Sequence, residues 1–545
     1  MKLQSDLKIL GIIGGAHSCG LAYFDHGELV CVLEEERLVR IKPYVDFEQD
    51  FCRFPTQSLN CLINDYNVDL QYVDYFTSFL GYHECIAIFK DCLGFDLPLE
   101  KFIKVDHHHS HCAASYFFSG FKEDTLVFCA DASGGNGYSS KTYIGSNGRL
   151  NYVGGIPLTR KSLGHFYASL TEILGFKRLK DEGKVVGLSG HGFIWHDLYN
   201  AWNEVINIEN VQTDFDLHNI ESGGVHSLLH SKFFDLVGSK FWRADNTIKN
   251  MAATGQYLFE QKLLELLNNI HEKRPDIRKL ALSGGIFANV KLNKRINELD
   301  WVDEMFVLPP MGDEGLALGA ALIVLNKFEP IKPFRLENVY FGNEYSEQQI
   351  DVAAEGFTKM PLDLEFISGL LLDKKILGLY QGRSEHGARA LGNRSIICDC
   401  THEETYNILN GKLQRNDFMP FAPAVLDEDA DIIFNVGKSA YTAEFMTCLF
   451  DTREEFRDKI PTVVHPVDKT ARIQIVTEKG NPLFYNILKN YKSHSGLGIL
   501  VNTSFNVHNE PIVETPENAF AHLRSGVIDY LVTPNAIYTL NLGYQ

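Results

Sequence analysis

Near its N-terminus the chain alternates short apolar runs with glycine-rich turns, and the same plan returns about a hundred residues later. Ile9-Leu10-Gly11-Ile12-Ile13 leads through Gly14-Gly15-Ala16-His17 to Leu21-Ala22-Tyr23-Phe24, a turn at Asp25-His26-Gly27, and Leu29-Val30-Cys31-Val32. The second copy runs Leu126-Val127-Phe128-Cys129-Ala130, Asp131-Ala132-Ser133-Gly134-Gly135, Thr142-Tyr143-Ile144, an Asn147-Gly148 turn, and Leu150-Asn151-Tyr152-Val153. Short β-rich runs joined by Asp/Asn-Gly turns predict hairpins. Two copies predict a duplicated α/β domain, the alternative being two unrelated meanders. Helical periodicity follows Val105-Asp106 and covers Thr247 through Asn269, where Leu258, Leu263, Leu264 and Leu267 share a face. Pro330, Pro333 and Gly342 break the pattern around 328–345 and mark a linker. Regular elements are expected to resume from Lys375. The reading is a domain over 1–335 and a second over 346–545.

Composition narrows the class. A chain of 545 residues exceeds one simple core. With 45% apolar and 22% charged residues it reads as an ordinary globular protein. No apolar run nears the roughly 20 residues of a membrane span, and no secretory signal opens the chain. The 11 cysteines include no CxxC pair, so reduced cytoplasmic thiols are expected. A formal charge of −19 argues against broad attachment to nucleic acid or anionic membrane, without excluding a local basic cleft.

Four motifs carry candidate chemistry. In His107-His108-His109-Ser110-His111, residues 107 and 111 stand at i and i+4 on a helix, so both imidazoles can reach one metal. A solvated histidine-rich helix start is the alternative. Asp131 and Asp313 occupy strand-to-turn and turn-to-helix positions; two imidazoles and two carboxylates suit a divalent transition metal such as iron, whereas each aspartate alone reads better as a cap or turn residue. Ser283-Gly284-Gly285-Ile286-Phe287-Ala288-Asn289 follows a strand, where backbone amides can approach phosphate or ribose. Gln381 through Ser395 holds Arg383, Arg389 and Arg394 among glycines, followed by Lys412, Arg415, Arg472, Ser504 and Asn506. That set suits anions such as ATP and an acyl phosphate, or else salt bridges at a domain interface.

Taken in order, these motifs resemble the carbamoyltransferase family that includes the nodulation-factor, cephamycin and tobramycin carbamoyltransferases. Glu34-Glu35-Glu36-Arg37, Glu182-Gly183-Lys184-Val185-Val186-Gly187-Leu188, Gly312-Asp313 and Asn502-Thr503-Ser504-Phe505-Asn506 add to the series, which runs nearly end to end. The resemblance implies an α/β (α+β overall) chain: an actin-like, ribonuclease H-like duplicated N-terminal domain and a smaller C-terminal α/β domain similar to threonylcarbamoyl-adenylate synthases. It implies ATP-dependent O-carbamoyl transfer. Carbamoyl phosphate and ATP, with magnesium, would give carbamoyl-adenylate in the C-terminal domain, and the carbamoyl group would pass to an acceptor hydroxyl at the N-terminal metal site.

By matching position, His107, His111, Asp131 and Asp313 would hold iron(II), and His17 would be the general base. Gly284, Gly285 and Asn289 would contact adenylate. Lys412, Arg415, Arg472, Ser504 and Asn506, with Arg383, Arg389 and Arg394, would bind carbamoyl phosphate and ATP. Ser18, Ala388 and His508-Asn509 depart from the family's usual Asp, Pro and Arg/Asn-Gly. The acceptor stays open among natural-product or sugar hydroxyls and a hydroxymethylated pyrimidine, as nucleotide or DNA base, with specificity expected in Tyr44–Phe54 and 190–245. A phosphotransferase on the same actin-like core and a non-catalytic metal and nucleotide sensor are the competing readings.

Overall fold

A computed structural model describes residues 5–15, 18–42, 54–134, 137–157, 162–205, 245–415 and 419–541. The first apolar runs form β1 (Ile9–Ile13), β2 (Gly20–Asp25) and β3 (Glu28–Glu34), an antiparallel meander turned at His26-Gly27, where both residues have positive φ. With β4 (Tyr75–Ser78) and β5 (Phe102–Lys104) they complete a sheet of order β3-β2-β1-β4-β5.

The second copy gives β6 (Thr125–Gly134), β7 (Tyr138–Ser146) and β8 (Arg149–Pro157), again an antiparallel meander. The strands β9 (Lys279–Ser283) and β10 (Glu304–Val307) add in parallel on the β6 side. Its order, β8-β7-β6-β9-β10, repeats that of the first sheet strand for strand. This is the duplicated ribonuclease H-like arrangement of actin-like proteins, and it disposes of two unrelated meanders.

The third sheet is built from β11 (Phe357–Pro361), β12 (Leu377–Tyr380), β13 (Arg394–Cys398) and β14 (Ala422–Leu426). After a short ribbon of β15 (Phe450–Asp451) and β16 (Thr470–Ala471), it continues with β17 (Gln474–Val476), β18 (Ile499–Ser504), β19 (Tyr530–Val532) and β20 (Ala536–Leu540). The order is β11-β20-β19-β12-β13-β18-β14-β17, mixed parallel and antiparallel. Leu377, Leu379, Ile397, Leu426 and Leu500 of this sheet pack with Phe484, Ile487 and Leu488 of the Pro482–Ser495 helix, all fully buried. That helix starts at an Asn481 cap with Pro482 behind it and stops at Gly496, φ 76°, the signals expected at each end.

Regular structure after the linker begins earlier than Lys375. The Glu347–Ala353 helix is nucleated by a Ser346/Gln349 capping box, and β11 and the Leu364–Leu372 helix follow. The chain divides into two compact units: residues 1–76, 82–102 and 336–545 form one, and 77–81 with 103–335 the other. Among the described residues no helix is long and apolar enough to cross a membrane.

Candidate metal centre and anion site

The histidine motif opens a helix, His107–Ser119, capped by Asp106, whose Oδ1 accepts the His109 amide at 2.9 Å. The other oxygen of Asp106 accepts the Lys141 ammonium at 2.7 Å, and that ammonium also lies 4.8 Å from the Tyr138 ring centre. The helix start is therefore fixed by a capping carboxylate and a paired cation, a pair the sequence reading did not single out. Far from being solvated, His107, His108 and His111 are all buried. His109 is half-buried and stacks on Tyr143.

The strand β6 carries Asp131 just beyond Ala130, where the pairing with β7 slips register before resuming at Gly134. A bulge of this kind re-aims a side chain out of the alternation. The strand runs on through Gly134 rather than ending at Asp131, because the bulge absorbs the turn. Gly134 is required by close approach: a Cβ there would stand 2.2 Å from Cε1 of His108 and 2.6 Å from Cδ2 of His107. Asp313 begins a short 3-10 turn ahead of the Leu316–Phe328 helix. The small residues of that helix let it meet the histidine helix closely, since a Cβ on Gly319 would collide with the Ser110 carbonyl.

These four side chains converge. His107 Nε2 lies 3.5 Å from Asp131 Oδ2 and 3.7 Å from Asp313 Oδ1; His111 Nε2 lies 3.4 Å from each of the same oxygens. Ligand atoms ~2.1 Å from a tetrahedral ion stand about 3.4 Å apart, so the edges match an ion-sized gap. The buried His107 Nε2 has no protein hydrogen-bond partner of good geometry. Two imidazole nitrogens and two carboxylate oxygens make a borderline donor set that fits a divalent transition metal. Burial opposes charge on Asp131, but His111 and His107 outweigh it and hold the carboxyl well below its usual range. Burial likewise opposes charge on His107, and Asp131 with Asp313 outweighs it and raises the imidazole.

The glycine turn of Ser283–Asn289 serves this centre directly. Gly284 has φ 98°, and a Cβ there would meet the Ala130 carbonyl at 2.3 Å, so only glycine fits. Its neighbour Gly285 donates its amide to Asp131 Oδ1. Asn289 caps the Val290–Asn297 helix and exchanges hydrogen bonds with Gln256, which also accepts the Tyr167 hydroxyl at 2.6 Å. Gln256 and Tyr167 were not signalled by any local motif, because their partners lie far off in sequence.

In the first unit the arginines divide by partner. Arg394, fully buried, donates to the carbonyls of Gln381, Asn393, Asn343 and Gly382 and stacks 4.0 Å over Tyr380. Arg383 donates to the carbonyls of Gly342, Val30 and Phe341. Both bind backbone through these bonds, while Arg394 Nε is buried without a protein partner. Arg389, Arg415 and Arg472, each half-buried, instead feel one another's charge. Burial and Arg415 push Arg389 down to about 10, and burial with Arg389 and Arg415 pushes Arg472 well below its usual value. Arg472 Nε is buried without a protein partner.

Lys412 pairs with Asp529 at 2.7 Å. Ser504 ends β18, half-buried, opposite Ser395. Asn506 donates to the carbonyls of Val507 and Glu510, leaving its buried Oδ1 without a protein partner. His17 and most of the two acceptor loops, residues 44–53 and 206–244, lie outside the described residues.

Fold and site together define an actin-like protein with a candidate divalent-metal centre. The chain belongs to the carbamoyltransferase family: residues 86–322 match the carbamoyltransferase N-terminus and 368–539 the carbamoyltransferase C-terminus. It is 32% identical to an uncharacterized protein of Methanocaldococcus jannaschii over 97% of this chain and 98% of that one. A second uncharacterized protein of that organism is 36% identical over 76% of this chain and 70% of its own length. Nodulation protein NolO of Bradyrhizobium diazoefficiens is 30% identical over 78% of this chain and 77% of its own. Among solved structures, full-length HypF in its phosphate- and nucleotide-bound form covers 60% of this chain and 47% of itself at 15% identity, with a TM-score of 0.35. The chain is thus an enzyme that transfers carbamoyl groups.

Proposed function

We propose that the chain makes carbamoyl-adenylate from carbamoyl phosphate and ATP, consuming one water and releasing phosphate and pyrophosphate. The carbamoyl group then passes to an acceptor hydroxyl at the four-residue centre, the new C–O bond replacing the bond to AMP, which leaves. The observation that carries this reading is Arg472, whose Nε is buried without a protein partner and which feels the charges of Arg389 and Arg415. Half-buried guanidinium groups that feel one another repel, and a bound polyanion offsets that cost. Magnesium would accompany ATP at this site.

His107, His111, Asp131 and Asp313 would hold the metal, proposed as iron(II). Bound there, it supplies a Lewis acid for the carbamoyl carbonyl. The chain's own groups do the rest. Gly285 and the two histidines keep Asp131 ionised and oriented, and Asp106 with Lys141 fixes the helix that presents both imidazoles. Asn289, locked by Gln256, is proposed to contact adenylate together with Gly284 and Gly285. His17 is proposed to take the proton of the acceptor hydroxyl, a role to which an imidazole's titration range suits it. The acceptor is proposed as a sugar or natural-product hydroxyl or a hydroxymethylated pyrimidine, and the chain's place of action as the cytoplasm.

Two assays test the reading. Pyrophosphate release from ATP should depend on added carbamoyl phosphate; release that ignores it contradicts the adenylation step. His17→Ala should stop transfer to acceptor while sparing pyrophosphate release, and normal transfer by that variant would remove His17 as the base.

A further inference from the structure

We infer that Glu34, at the end of β3, and Arg37, in the Glu35–Val39 helix that follows, are positioning residues for the arginine cluster, acting through Gly387 on Arg389. The inference rests on reading that cluster as the anion site. Glu34 Oε1 accepts the Gly387 amide at 2.6 Å and His386 Nδ1 at 2.8 Å, while Oε2 accepts Arg37 Nε at 2.7 Å. Arg37 Nη2 in turn donates to the Gly387 carbonyl at 2.6 Å. Both backbone groups of one glycine are thus held by a carboxylate and a guanidinium about 350 positions earlier in the chain.

Gly387 has φ 104°, so the turn it makes is open to glycine and strained for other residues. Arg389 follows two positions later. The far side of the loop is pinned as firmly: Glu385 Oε1 accepts the amides of Leu391, Asn393 and Arg394 at 2.8, 2.7 and 3.0 Å, and Asn502 donates to the Ala390 carbonyl. Between those two anchors the backbone that carries Arg389 is held on both sides. Burial opposes charge on Glu34, yet Arg37, His386 and the Gly387 amide outweigh it and hold the carboxyl down to about 2. The clamp therefore stays ionised through the working pH range. Neither residue is placed on substrate; each acts through the loop that it holds.

The test uses the full chain with inorganic pyrophosphate as probe, measured by calorimetry. Glu34→Gln keeps the shape but sets an amide donor against Arg37. Arg37→Lys keeps the charge and loses the fork that reaches the Gly387 carbonyl. Each should weaken pyrophosphate about tenfold, with metal content near wild type and the thermal midpoint lowered only by the clamp's own contribution to stability. In an Arg389→Ala background the same substitutions should add almost nothing, the signature of action through that residue. Wild-type affinity in both single variants, or losses that add in full to that of Arg389→Ala, would overturn the inference. A wild-type chain that binds no pyrophosphate would overturn the anion site first, and the positioning role with it.

Discussion

The two five-stranded sheets share one strand order, yet their loops have taken different work. The second carries Asp131 on a bulge of β6 and, with the His107–Ser119 helix and the Asp313 turn, closes a four-residue centre. The first carries Glu34 at the end of β3, where the carboxylate binds a backbone amide and a guanidinium. Duplication therefore copied a scaffold, and chemistry was decided by which side chains stand at strand ends. A carboxylate facing two imidazoles makes a candidate metal ligand; a carboxylate facing an arginine and an amide makes a clamp.

The largest effect is expected at the second sheet's centre. Asp313→Ala removes one of four ligands and should weaken divalent-metal binding by at least about 100-fold, while carbamoyl-phosphate-dependent pyrophosphate release persists. Loss of both activities together would mean that the two regions are not separable. Next comes the first unit. Arg472→Ala should raise the KM for carbamoyl phosphate by roughly 10- to 100-fold, the scale of one hydrogen bond to a charged group, and leave metal content unchanged. An unchanged KM would take Arg472 out of the anion site.

Gly134→Ala should come third. Its methyl would press on His108 and His107, costing about 1–3 kcal/mol of stability and loosening metal binding; a thermal melt with metal titration reads both. Lys141→Met should be milder, a few-fold loss of metal affinity through the Asp106 cap, since the residue touches no ligand directly. The smallest effect is one of pH. Glu34 is held down to about 2 from its ordinary 4.5, so its contribution is fully present above about 4.5 and is lost as pH falls toward 2. Acid unfolding of Glu34→Gln should lack that component, and curves of equal slope for the two proteins would contradict the clamp's charge.

Local pattern made part of this legible. The repeated strand-turn-strand plan foretold the duplicated sheets, and the i, i+4 spacing foretold that His107 and His111 share a face. Asp131 and Asp313, 182 positions apart in the numbering, could be joined to them only through the ordered resemblance. Arg383, Arg389 and Arg394 looked alike among their glycines. What separates them is tertiary: two meet backbone carbonyls and one meets other guanidinium groups. No spacing rule could reveal that Gly387 is held by Glu34, because that pair forms only when β3 folds against the later loop. The same holds for Gln256 and Tyr167 behind Asn289.

The most direct test of the central claim is metal stoichiometry in the purified full-length chain and in His111→Ala, by elemental analysis after loading with iron(II) under anaerobic conditions. One divalent ion per wild-type chain and essentially none in the variant is the expected result. Equal ion content in both proteins would show that the four side chains do not form the metal centre.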